Sequence, residues 1–152
     1  VAVVERHQGT GNVACGFLKG YGIKAGAVAL SIAHDSHNII VVGVSDEEME
    51  FAVNSLIAQE GGMVLVREGK VLESMPMPIA GLMSDQSGEW VDEKLTAIHA
   101  KAYEELGIAG DVEPVMTLCF MSLAVIPEVK LTDMGLFDVT KQEFINMEAE
   151  KN

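Results

Sequence analysis

Ser31-Ile32-Ala33-His34-Asp35-Ser36-His37-Asn38-Ile39-Ile40-Val41-Val42 sets five polar residues between two apolar runs. The flanks read as buried strands, Ala27–Ala33 and Ile39–Val44. A sheet interior takes His-Asp-Ser-His-Asn only when each polar group finds a partner. The stretch is therefore a polar knot that locks the fold, or part of a site. Imidazole and carboxylate also suit zinc, iron or manganese. Alternation along an extended strand, however, sends His34 and His37 to opposite faces, so they meet one ion only if the chain turns sharply between them. Three readings stay open: a self-contained metal site, a hydrogen-bonded knot, and an edge contacting a site held mostly elsewhere.

Working outward, Val1–Val4 reads as a strand delivering the polar loop Glu5-Arg6-His7-Gln8-Gly9-Thr10-Gly11-Asn12. Its two glycines lack the spacing of a phosphate-binding GxGxxG loop. Val13–Tyr21 reads as a short helix or irregular segment. Ser45 caps a helix, with Glu48 placed to close a capping box. Met49, Ala52, Val53, Leu56 and Ile57 mark its buried face, and Gly61-Gly62 stops it. Met63–Arg67 and Lys70–Met75 form a hairpin about Glu68-Gly69. Residues 79–85 make an apolar connector. A second helix runs from about Gly88 to Leu106 on the stripe Val91, Leu95, Ile98, Ala102, Leu106, with Gly107 as its stop; His99 beside that stripe reads as structural or exposed. Strand and helix cannot be separated by periodicity between Pro114 and Pro127. A turn and one strand follow at 130–139.

The 152 residues hold 49% hydrophobic and 22% charged side chains, enough for one domain with a real core. With 23 acidic against 10 basic residues, the net charge of −13 argues against nucleic acid and against an anionic membrane surface. Cys15 and Cys119 form no CxxC pair and read as buried reduced thiols of a cytoplasmic protein. No apolar run is long enough to span a bilayer, and no secretory leader is visible. The strand-like opening at Val1 suggests a cut inside a longer protein. A serine-hydrolase reading of Ser36 fails because no GxSxG elbow surrounds it. The class expected is α/β or α+β: a single domain with a mixed β-sheet of about six strands and at least two packed helices, covering 1–139, then a polar acidic tail at 140–152.

Several blocks, in order, carry a resemblance. Residues 5–12, Lys19-Gly20-Tyr21-Gly22, Ala33-His34-Asp35-Ser36-His37-Asn38-Ile39-Ile40-Val41-Val42-Gly43, Pro78-Ile79-Ala80-Gly81-Leu82-Met83-Ser84-Asp85 and Ile126-Pro127-Glu128-Val129-Lys130-Leu131-Thr132-Asp133 resemble the C-terminal domain of bacterial adenine deaminases, of the amidohydrolase superfamily. The resemblance implies a parent hydrolase that converts adenine to hypoxanthine and ammonia in purine salvage. It implies two manganese or iron ions held by a preceding (β/α)8 barrel, whose ligands these residues lack. No cofactor is expected in this chain itself. The partners implied are that barrel, adenine and further copies in a homo-oligomer. On this reading His7, His34, Asp35, His37 and Asn38 form the face turned toward the parent active site. The competing reading is a packing or oligomerisation domain whose His/Asp cluster is purely structural.

Overall fold

The computed structural model describes residues 1–146. Its main sheet contains β1 (Ala2–Val4), β2 (Val13–Cys15), β3 (Ala27–Leu30), β4 (Ile39–Gly43), β5 (Gly62–Arg67) and β6 (Lys70–Pro76). Their order is β2-β1-β4-β3-β5-β6, and every pairing is antiparallel. Between β4 and β5 runs helix α1 (Asp46–Ala58). Those two strands point the same way, but β3 lies between them, so this crossover creates no parallel pair. The class is α+β.

Both faces of the central strands β3, β4 and β5 are buried, which is why these strands read as unbroken apolar runs. Ala27, Ala29, Ile39, Val41, Val64 and Val66 face α1, meeting Ala52 and Leu56. The alternate residues, Val28, Leu30, Ile40, Met63 and Leu65, face the other layer. That layer is built from α2 (Gly88–Glu104), α3 (Pro114–Cys119) and the segments around them. Small side chains let α1 approach closely: a Cβ on Gly43 would lie 2.7 Å from Met49 Cγ.

The helix signals hold with one change. Ser45 Oγ accepts from Glu48 N at 3.3 Å, but the Glu48 carboxylate does not close the box. It accepts from Glu68 N at 2.6 Å and ties α1 to the β5–β6 turn. In that turn Glu68 and Gly69 have φ of 53° and 67°, the pair of positive values a two-residue hairpin needs. Ser87 caps α2, and Gly107 follows it at φ 67°.

Four expectations change. Residues 13–15 form an edge strand, because their backbone pairs with β1, and the segment after them is irregular. Cys15 is consequently exposed; only Cys119 is buried, and burial, with Glu113 nearby, pushes its thiol up to about 12. Pro114 starts a one-turn-and-a-half helix with Glu113 as its cap, which resolves the ambiguous run. The single late strand is a hairpin, β7 (Val129–Thr132) with β8 (Gly135–Asp138), joined by β9 (Glu143–Phe144). The segment expected as tail thus enters a sheet at 143–144, while residues 147–152 lie outside the described ones. Among the described residues no helix is long and apolar enough to cross a membrane.

Ser31 fixes one end of the sheet. Its buried hydroxyl donates to Gly81 O at 2.6 Å and accepts from Gly62 N at 2.7 Å. Ser31→Ala orphans both groups and should lower unfolding free energy by about 1–3 kcal/mol, read by urea denaturation. Exposed Ser36→Ala should stay within about 0.5 kcal/mol.

Candidate functional site: the polar end of the sheet

Strand directions put the loops after β1, β3 and β6 at the same end of the sheet as the loops entering β4 and β5. Loops 5–12, 31–38 and 77–83 therefore meet there, and the five predicted site residues all lie on the first two.

Glu5 shapes the first loop. Its carboxylate accepts from the backbone N–H of His7 (2.5 Å), Gln8 (2.8 Å) and Thr10 (3.1 Å), and from the Thr10 hydroxyl at 3.2 Å. Desolvation works to raise its pKa, but these donors together outweigh it and hold the group at about 2. His7 is exposed, and its Nε2 pairs with Ser36 O at 2.7 Å, linking the two loops.

Arg6 is the hub. Its Nε donates to His37 O at 2.5 Å, its terminal nitrogen to Ala80 O at 2.8 Å, and its backbone N–H to Asn38 Oδ1 at 3.3 Å. Among the described residues the guanidinium has no carboxylate partner. Desolvation lowers its pKa from the usual arginine value. Asn38 is buried and uses its amide at both ends: Oδ1 toward Arg6, and Nδ2 donating to Asp133 Oδ1 at 3.2 Å.

The chain turns sharply where an extended strand would not. His37 has φ 52°, its N–H donates to Ala33 O at 2.7 Å, and the His34–Asp35 peptide is cis. The turn brings the imidazoles of His34 and His37 edge to face, centroids 5.8 Å apart, with His34 also against Phe120 at 5.1 Å. Alternation alone would have separated them.

The five residues thus divide. His7 and Asn38 spend their polar atoms on holding the loops. The side chains of His34, Asp35 and His37 make no hydrogen bond to any described residue, and His37 Nδ1 is buried without a partner. Asp35 is exposed and both imidazoles are half-buried. The Asp35 carboxylate and the accessible imidazole atoms can accept, donate or carry a proton to something outside the domain, which the buried His37 Nδ1 does not reach. Among the described residues no group of three or more His, Cys, Asp or Glu side chains is placed to hold a metal ion. His99 is tied up elsewhere, paired with Glu113 at 2.5 Å.

Arg6 and Asp133 were not singled out from the sequence as site residues. Both lie within the blocks that carried the resemblance. The available signal was an arginine beside a candidate histidine, in a loop with several carbonyls to satisfy.

Residues 1–143 match the family described as adenine deaminase C-terminal domain. The chain is 74% identical over 149 residues to "Adenine deaminase 2" of Desulfotalea psychrophila, covering 98% of this chain and 26% of that protein. It is 52% identical over 150 residues to "Adenine deaminase" of Ligilactobacillus salivarius, covering 99% and 26%. With "Adenine deaminase" of Brucella abortus it shares 54% identity over 145 residues, covering 95% and 25%. The chain thus spans about a quarter of the length of these relatives.

Glu5 provides a pH test. Its folded pKa is depressed, so its contribution is complete above the ordinary value of 4.5 and is lost as pH falls through about 2. The stability gap between the native chain and Glu5→Gln should be constant above pH 5 and shrink toward pH 2. Denaturant midpoints across that range measure it, and carboxyl NMR titration should place Glu5 at about 2.

Proposed function

This chain belongs to the adenine deaminase C-terminal domain family, and from that premise we propose that it serves a longer enzyme hydrolysing adenine to hypoxanthine and ammonia, in cytoplasmic purine salvage. The domain presents its polar end to the active site of a preceding amidohydrolase barrel. One observation carries this reading: His34, Asp35 and His37 have no hydrogen-bond partner inside the domain, while the groups that position them are satisfied. Asp35 is open to solvent, and a buried polar atom left unmatched, as His37 Nδ1 is, calls for an explanation such as a functional role.

The chemistry needs water at the purine carbon bearing the amine, a proton for the departing nitrogen, and limited access of bulk water. An ionised Asp35 is an acceptor and suits the N–H groups of adenine. An imidazole of the His34–His37 pair can hold or deliver a proton at a ring nitrogen. Covering the open face of the barrel would exclude water. The manganese or iron pair belongs, on this proposal, to the barrel, and no step assigned to these residues runs through it.

A packing or oligomerisation domain is the second reading, and Asn38 favours it: both ends of its amide are spent on internal bonds, as in a purely structural knot. The two readings separate in the full-length enzyme. His34→Ala and Asp35→Ala should each lower kcat by about 10²-fold or more, the scale of general acid–base contributions. Asp35→Ala should shift the melting temperature little, because its side chain holds no internal hydrogen bond, and His34→Ala should lower it modestly through lost ring contacts with His37 and Phe120. Unchanged turnover per folded molecule, with altered melting or oligomer size, would transfer the cluster to the structural reading.

A further inference from the structure

We propose that the cleft between residues 122–125 and the β7–β8 turn is where the preceding domain of the same polypeptide seats on this one. The cleft has a volume of about 370 Å³ and is open to solvent along one side. Its apolar wall is Val125, Met134 and Phe144, exposed at 72%, 70% and 49%. Its polar wall is Asp35, Ser36 and Asp133. Apolar side chains bared together around a concavity mark a surface that another body covers.

Two facts select the occupant. The chain spans about a quarter of its relatives and matches the domain described as C-terminal, so in those polypeptides a far larger part is tethered to this domain and at hand to cover the cleft. The cleft is also continuous with the polar end of the sheet. Asp133, in its wall, accepts from Asn38 Nδ2, and Asp35 belongs to cleft and cluster alike. A body that reaches the free groups of His34, Asp35 and His37 is thereby brought against Val125 and Met134. Apolar contact fixes the distance and angle, and the unmatched polar groups at its margin are left facing the reacting centre. Interdomain contacts of about 600–1,500 Å² accommodate this arrangement.

The inference rests on the reading of that cluster as facing the preceding domain, yet the two fail separately: labelling reports contact, and the alanine variants report turnover. The experiment uses the full-length enzyme in a Cys15→Ser background, with Val125→Cys or Met134→Cys. Reaction with a maleimide is followed at the single peptide by mass spectrometry, in native buffer and in urea. Covered side chains should label at least about tenfold more slowly in the native enzyme than in urea, at any protein concentration. Labelling within about twofold of the unfolded rate at both positions would overturn the proposal. So would protection that disappears on dilution in step with subunit dissociation, which would assign the cleft to a second copy. Both positions are exposed in the domain, so the substitutions leave its core intact.

Discussion

The hydrogen bonds of one guanidinium hold the polar end of this domain together. Arg6 leaves β1, crosses to the carbonyl of His37 and reaches the carbonyl of Ala80, fastening loops that lie far apart in the chain. Carbonyls are good but neutral partners, and each such charged hydrogen bond contributes about 1.5–3 kcal/mol. Gly81 sits at φ 73°, a conformation that L side chains rarely adopt, and a Cβ there would come 2.9 Å from the Arg6 guanidinium and push it aside. Without this clamp the 31–38 loop would keep its ties to His7, Cys119 and Asp133 but lose its link through Arg6 to Ala80.

Much of the architecture could be read from residues with a clear physical signature. Ser45 announced a helix start, Gly107 a helix end, and Glu68-Gly69 a tight turn, because caps and positive-φ turns depend on local chemistry. Val13–Cys15 could not be read this way. Its strand state comes from pairing with β1, a non-local contact, and its side chains are largely exposed on an edge. Pro114–Cys119 was ambiguous for another reason: its exposed face carries Met116, itself apolar, so burial on one side leaves no polar stripe in the sequence.

The candidate cluster was legible as residue types but not as geometry. His34 and His37 could be named, yet the rule of alternation set them apart, and only the turn at His37 reunites them. The division of labour within the cluster was hidden too. Asn38 looked like its histidine neighbours, but its partners, Arg6 and Asp133, lie 32 and 95 residues away. No local pattern encodes bonds of that span.

Those spans bear on how the molecule assembles. The β5–β6 ribbon closes across two residues, whereas the Arg6–Ala80 link closes a loop of 74. Loop-closure entropy and contact order set the sequence of events, so local ribbons and helices form early and the distant stitching forms late. The end carrying the unmatched imidazoles accordingly closes against a larger loss of chain entropy than the ribbon does.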